Sequence, residues 1–294
     1  MQPKDTFFSP KKTINCRGEL LDLTLPKVMG IVNITPDSFF DGGKYTNNEV
    51  LISQIDNMLH NGCHILDIGA YSSRPGAKDV SQHEELKRLT SALNIIRKKH
   101  PKAIISVDTF RAQVAHTVVK DFEVDIINDI SAGELDPDMF RIVSELKVPY
   151  VMMHMQGTPD TMQNNPRYTN VVKDIIMYFS EKINELKLLG VNDVIIDPGF
   201  GFGKTLDHNY QLLKHLNDFK ILEMPILVGV SRKSMICKVL EINPDEALNG
   251  TTVINTLALQ AGANILRVHD VKQASETIKL LDKYNQAQID NWYN

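Results

Sequence analysis

The sequence predicts an α/β protein built as a single (β/α)8 TIM barrel over residues 1–294, with a short N-terminal β-hairpin at residues 13–26. Three observations carry this reading. The chain has 294 residues, a normal length for one α/β barrel. Eight short apolar runs rich in Val and Ile recur along it: KVMGIVNIT, HILDIGA, AIISVDT, DIINDIS, PYVMMHM, DVIIDPG, PILVGVS and NILRVHD. Longer amphipathic patterns separate them, and that alternation marks the α/β class. The runs are too short for helices and almost continuously apolar, which suits strands buried on both faces of a parallel sheet. Periodicity alone does not show closure, so a doubly wound open sheet is the alternative.

The elements follow in order. Ahead of the first run, TINCRGELLDLTLP places Arg17, Gly18 and Glu19 as a turn between two short strands, positioned to cover the barrel floor. The pattern VLISQIDNMLHNG ends in Gly62, a C-terminal cap. EELKRLTSALNIIRKKHP stops before Pro101, because the residue before proline disfavours the helical region. VVKDIIMYFSEKINELKLLG and TTVINTLALQAG end at Gly190 and Gly262. No second domain, linker or low-complexity segment interrupts the series.

Composition excludes several classes. The net charge is −4, from 32 basic and 36 acidic residues, which leaves no broad footprint for nucleic acid. The run RKKH, Arg97 to His100, reads as a solvated helix C-terminus favoured by the helix dipole. Cys16, Cys63 and Cys237 are odd in number and form no C-x-x-C pair. Structural, reduced thiols in a cytoplasmic protein fit best, without a disulfide framework or zinc site. The stretch MQPKDTFFSPKK lacks the apolar core of a signal peptide, and no run approaches the length needed to span a membrane.

The informative feature is how the apolar runs end. Asn33 closes the first and Asp67 lies within the second. Asp108 closes the third, Asn128 and Asp129 the fourth, His154 the fifth and Asp197 the sixth. Ser231, Arg232 and Lys233 follow the seventh, and Arg267, His269 and Asp270 close the eighth. In a barrel these converge on the C-terminal rim, where active sites sit. Asp108, Asn128, Asp197 and Lys233 supply acceptors and donors in a recess, matching the edge of an amino-pyrimidinone ring such as a guanine or a pterin. Arg267 and His269 are two residues apart on one strand and so share a side, a pairing suited to phosphate oxygens. Asn33 is a neutral ligand of the kind that suits Mg2+, which keeps water and takes phosphate oxygens. The loops ITPDSFFDGGKY, with Asp37 and Asp41, and YSSRPGAK, with Arg74, are long enough to act as lids.

One apparent motif fails. The stretch IIDPGFGFGKT ends like a phosphate-cradling loop, yet the position four residues before Phe202 that such a loop gives to glycine is Pro198, with no N–H to offer. It reads instead as a strand ending in Asp197, a close glycine turn, and Lys204 and Thr205 opening the next loop.

In order along the chain, GIVNITPDSFFDGG, SRPGA, SVDTFRAQVA, INDISAG, VMMHMQGTP, IIDPGFGFGKT, GVSRKS and RVHD resemble the dihydropteroate synthases, the targets of sulfonamide drugs. The resemblance runs from about Lys27 to His269. It implies a barrel, a homodimer, Mg2+, and a reaction joining 6-hydroxymethyl-7,8-dihydropterin diphosphate to 4-aminobenzoate. It further implies that Asp108, Asn128, Asp197 and Lys233 hold the pterin ring, with Met153 and Phe202 along its faces. Asn33 would ligate the metal. Ser73, Arg267 and His269 would contact the diphosphate. Phe39, Asp41, Arg74, Pro75 and Ser234 would shape the aminobenzoate pocket. Asp41, Arg74, Lys233, Arg267 and His269 would carry the chemistry, a dissociative substitution at the pterin methylene. One departure stands out: many members have E-S-T-R-P-G where this chain has YSSRPG, so Tyr71 replaces a carboxylate while Ser73 keeps a hydroxyl. A pterin-dependent methyltransferase domain and a non-catalytic pterin-binding paralogue are the alternatives.

Overall fold

A computed structural model of the chain describes residues 11–34, 44–70, 80–158, 161, 162 and 165–287, with residues 44–47 as backbone only. Ten strands are present among them: β1 Thr13–Cys16, β2 Glu19–Asp22, β3 Lys27–Asn33, β4 Ile65–Gly69, β5 Ile104–Asp108, β6 Ile126–Asp129, β7 Tyr150–Met153, β8 Val194–Asp197, β9 Leu227–Val228 and β10 Ile265–Val268. The helices between and after the barrel strands are α1 Lys44–His60, α2 Gln82–Lys99, α3 Ala112–Phe122, α4 Met139–Leu146, α5 Val171–Leu188, α6 Leu206–Lys214, α7 Ser234–Leu240, α8 Leu248–Gln260 and α9 Val271–Gln286. Each predicted apolar run contains one barrel strand. The helices α1, α5 and α8 each stop two residues short of the glycine expected to cap them.

Strands β3 to β10 are parallel, in the spatial order β8-β7-β6-β5-β4-β3-β10-β9. A parallel bridge between Ile196 and Ile226 joins the two outer strands, and the Ile196 N–H donates to the Pro225 carbonyl at 3.0 Å. The sheet therefore closes, and the open-sheet alternative falls. Helices pack around it, with Val28, Val32, Leu66, Ile68, Val107 and Ile127 among the buried strand residues facing outward onto them.

The hairpin seals the barrel floor. β1 and β2 pair antiparallel around Arg17 and Gly18, both with positive φ, 49° and 87°, the two-residue turn whose twist matches flanking strands. Ile14, Cys16 and Leu23 pack against Met29, Ile65, Ile126, Val151, Ile195, Leu227 and Ile265, the lowest inward-facing layer of the barrel. The floor is also tied by charge. The buried Asp125 carboxylate accepts from Arg17 Nε at 2.6 Å, Arg97 Nη2 at 2.7 Å and the Ile105 N–H at 2.8 Å. This corrects one expectation. Arg97 is not solvated at a helix end: its guanidinium also donates to the carbonyls of Ala103, Phe122 and Glu123, joining α2 to the start of β5 and the end of α3.

Cys16, Cys63 and Cys237 carry free thiols; burial raises Cys16 to about 12 and Cys63 to about 11, so both stay protonated and inert. No helix among the described residues is long and apolar enough to cross a membrane.

Asp125 is the joint of this floor. Replacing it with Ala strands the buried Arg97 charge and the Ile105 N–H, so Asp125→Ala is expected to cost about 3–5 kcal/mol in urea unfolding. Arg17→Ala, removing the more exposed partner, is expected to cost about 1 kcal/mol. Equal, small losses would show that the network does not secure the floor.

Candidate functional site

Strand periodicity builds the site. Side chains two apart on a strand share a face. The inward residues of the lowest layer include Ile65, Ile126, Val151, Ile195 and Ile265. Two residues further along each strand come Asp67, Asn128, Met153, Asp197 and Arg267. The barrel interior therefore changes from apolar to polar in one step, just below the C-terminal rim.

At the centre of the polar layer lies Asp67, fully buried. Its carboxylate accepts from Ser106 Oγ at 2.6 Å, Arg267 Nε at 2.7 Å and Asn128 Nδ2 at 3.2 Å. Arg267 Nη2 reaches on to Asp108 Oδ2 at 2.8 Å. One guanidinium thus serves two carboxylates. Burial raises the Asp108 carboxyl to about 7; Arg267 opposes the rise and Asp67 adds to it. Gly229 lies beside Arg267, where a Cβ would meet the arginine Cβ at 3.7 Å. Because Asn128 donates to Asp67, its amide oxygen is left for a ligand donor.

Asp197 closes the recess on the other side. It is buried, and its Oδ1 accepts from the Gly199 N–H at 2.8 Å. Burial raises its carboxyl, and the Lys233 ammonium is the main influence opposing that rise. Lys233 precedes α7, donates to the Phe200 carbonyl, and holds its ammonium 4.5 Å from the Phe202 ring centre. Burial lowers its ammonium to about 8, against the pull of Asp197. Met153 is buried at the end of β7, in register with Asp197. Asp108 and Asp197 both act on the Lys233 ammonium, and Asn128 is in register with Asp108, so these groups share the C-terminal end of the barrel, with Met153 level with Asp197 and Phe202 beneath Lys233.

The remaining predicted residues lie higher. Asn33 ends β3 with its side chain exposed, and Ser234 begins α7, also exposed. His269 follows β10, its Nδ1 3.0 Å from Ser231 Oγ. Arg232 forms a two-point pair with Asp270, at 2.6 and 3.0 Å, which pins the β9–α7 loop against the end of β10. Phe39, Asp41, Ser73, Arg74 and Pro75 lie outside the described residues, as do Asp37 and Tyr71. Among the described residues no group of three His, Cys, Asp or Glu side chains could hold a metal ion.

Some strand-end polarity serves the scaffold alone. Asp129 accepts from Tyr150 Oη at 2.6 Å, from the Ser131 hydroxyl and N–H, both at 2.7 Å, and from the Gly133 N–H at 2.8 Å, so its bonding capacity is spent. The central role of Asp67 went unassigned in the sequence, although a carboxylate inside HILDIGA was the signal. Lys204 lies between the glycine turn and α6, in the loop the sequence expects, yet its side chain is buried. Thr205 N-caps α6.

The chain is similar to known pterin-binding proteins along most of its length. The profile of the family described as pterin binding enzyme matches residues 29–269. A dihydropteroate synthase of Haemophilus influenzae is 42% identical over 265 residues, covering 90% of this chain and 95% of that protein. The Yersinia pestis dihydropteroate synthase solved with a sulfonamide drug complex superposes with a TM-score of 0.86 at 39% identity, over 94% of this chain and 100% of that one. The Xanthomonas albilineans dihydropteroate synthase solved with 4-aminobenzoic acid gives a TM-score of 0.86 at 35% identity, over 94% and 99%.

The Asp67–Arg267 contact sets a stability test. Asp67→Asn turns an acceptor toward a guanidinium into an amide and is expected to cost about 3 kcal/mol; Arg267→Met is expected to cost a similar amount. Because both remove one contact, the double variant should lose less than the sum by more than about 1 kcal/mol in urea unfolding. Additive losses would mean that the two charges act independently.

Proposed function

The chain belongs to the pterin binding enzyme family, and from that premise we propose that it makes 7,8-dihydropteroate for folate biosynthesis, joining 6-hydroxymethyl-7,8-dihydropterin diphosphate to 4-aminobenzoate with release of diphosphate. The observation that carries this reading is the ring-edge set Asp108, Asn128, Asp197 and Lys233, gathered in one recess around Asp67 and Arg267.

The residues divide the work by position. Asp197 accepts from an amino-pyrimidinone edge, a carboxylate receiving two parallel N–H bonds. Asn128 offers its amide oxygen and Lys233 its ammonium to neighbouring ring positions. Met153 and Phe202 line the ring's faces. The bond that breaks joins the pterin methylene carbon to the diphosphate oxygen; its electron pair leaves with the diphosphate. The electron-rich pterin carries the resulting methylene cation, and no covalent enzyme intermediate forms. The neutral arylamine nitrogen then attacks that carbon and releases a proton. Arg267 and His269 sit on the β10 side to stabilise charge developing on the leaving group. Asn33 would hold Mg2+, a group that supplies positive charge to diphosphate oxygens when bound. Ser73 contributes a hydroxyl to the diphosphate. The resemblance assigns Phe39, Asp41, Arg74, Pro75 and Ser234 to the aminobenzoate. The same pocket would accept sulfonamides as aminobenzoate mimics. The assembly is a homodimer of a cytoplasmic protein, consistent with its free thiols.

The deciding experiment follows diphosphate release from the pterin diphosphate and Mg2+, with and without 4-aminobenzoate. Release that requires the arylamine and yields dihydropteroate is expected; pterin binding without release would leave a binding paralogue or another transferase. Within that assay, Asp197→Asn is expected to weaken pterin by about 1–3 kcal/mol in calorimetry, since half of an acceptor becomes a donor. Unchanged binding would remove Asp197 from the ring edge.

The pH dependence follows from two groups. Asp108, raised to about 7, takes a proton below that pH and loses an acceptor. Lys233, lowered to about 8, loses its donor charge above that pH. Pterin affinity in the free enzyme is expected to peak between these values. Lys233→Met should bind more weakly throughout and lack the alkaline limb, and a limb that persists in this variant would assign it to another group.

A further inference from the structure

The least expected side chain in the molecule is Lys204. Its side chain is almost wholly buried, at 4% exposure, although it follows the glycine turn that resembles a phosphate loop. Its Nζ lies 3.0 Å from His154 Nδ1, 3.2 Å from the His154 carbonyl and 2.9 Å from the Phe202 carbonyl. An ammonium has three donors and no acceptor, and here each donor has a partner. The group is saturated within the protein and offers nothing to an anion.

Those partners belong to two different strand ends. His154 follows β7, immediately after Met153; Phe202 lies in the turn that follows Asp197 on β8. The two backbones come unusually close. At Gly199, with φ at +72°, an added Cβ would sit 2.0 Å from the His154 carbonyl oxygen, and at Gly203, with φ at +60°, 2.6 Å from that of Gln156. Only glycine permits this approach, which crowds carbonyl oxygens from both loops into one small volume. A cation placed among them offsets that crowding. Beside it, Tyr168 Oη donates to the Gly203 carbonyl at 2.8 Å, a neutral link across the same junction.

The histidine tautomer agrees with the geometry. His154 Nδ1 accepts from the ammonium, so the ring is neutral with its proton on Nε2; burial and the adjacent Lys204 push it down to about 2. The imidazole packs edge-on against Tyr178, with centroids 4.9 Å apart. Burial holds the Lys204 ammonium well below the usual lysine range; the Asp197 carboxylate opposes that fall and Lys233 adds to it.

We propose that Lys204 is a positioning residue for the ring recess: its ammonium clasps the ends of β7 and β8 together and so fixes Met153, Asp197 and Phe202 at one spacing. The link continues to Lys233, whose ammonium stands over the Phe202 ring and donates to Phe200. One buried lysine therefore governs the floor and one edge of the recess without touching a ligand. The proposal rests on the reading that this recess takes a pterin ring.

The test compares Lys204→Met and Lys204→Arg with Tyr168→Phe, which cuts the neutral link and spares the cation. Pterin affinity is measured by calorimetry, the Michaelis constants for both substrates and kcat by steady-state kinetics, and folding by circular dichroism. Lys204→Met is expected to lose pterin affinity by at least about tenfold, the scale of one charged hydrogen bond, with the aminobenzoate KM and kcat little changed. Lys204→Arg should recover most of the loss, and Tyr168→Phe should show none. A folded Lys204→Met with wild-type pterin affinity would overturn the proposal, and so would an equal loss in Tyr168→Phe. Should Lys204→Met not fold, Lys204→Gln, which keeps two donors without the charge, is held to the same comparison. A wild-type protein that binds no pterin would instead overturn the reading of the recess, and this proposal with it.

Discussion

The site depends on a buried ion pair. Asp67 and Arg267 face each other across the barrel interior, and almost every polar group of the recess is placed with reference to them. Such a pair is weak evidence for stability, since desolvation of two charges offsets their attraction, and well-packed apolar residues often serve a fold as well. Its value here is geometric. Asp67 takes one edge of the guanidinium, the Ser106 hydroxyl and the Asn128 amide, and so fixes which atoms of Arg267 and Asn128 remain for a ligand. Arg267 in turn holds Asp108. Groups from β4, β5, β6 and β10 become one rigid constellation because a single carboxylate sits where four strands converge.

Rigidity on the opposite side comes from the backbone. Gly199 and Gly203 let the β8 turn lie against the segment after β7, and Lys204 fills the space between them with charge. Asp197 and Met153 are thus fixed by contacts just beyond their own strands. The two devices are complementary: one orients side chains from the centre of the barrel, the other sets the spacing of its rim. The hairpin at the floor, tied through Asp125, closes the far end and keeps water from the underside of the polar layer.

Much of this was legible in the sequence. Apolar runs of constant length located all eight barrel strands, and the polar residues at their ends located the recess, because a strand's period of two carries a polar side chain to the same face as the core residue before it. What stayed hidden were partnerships. Asp67 looked like one more strand-end carboxylate; nothing in HILDIGA says that Arg267, 200 residues later, reaches it. Asp129 carries the same signal but is spent on Tyr150, Ser131 and Gly133. For Lys204 the pattern marks only the start of a loop; its burial depends on two carbonyls and a histidine brought together by the fold. Arg97 misled at a helix end because its partners, too, are brought together by the fold. Sequence pattern reports which way a side chain points, whereas long-range pairing decides whether it is free.

Charge balance ties these parts to the chemistry. The recess gathers three carboxyl groups, Asp67, Asp108 and Asp197, and three basic side chains, Arg267, Lys204 and Lys233. A cavity balanced in this way is suited to a neutral heteroaromatic ring, which it reads through hydrogen bonds, and poorly suited to a bare polyanion. A diphosphate attached to that ring therefore belongs at the upper edge of this layer, on the β10 side within reach of Arg267 and His269 and beside Asn33. Under the proposed reaction this separation has a purpose. Ring recognition stays the same before and after the diphosphate leaves, while the groups that stabilise its departure lie at the open rim, where product can escape. The buried layer supplies specificity and the rim supplies the exit, and Arg267 joins the two, since it is held by Asp67 and Asp108 within the layer and faces the leaving group at its edge.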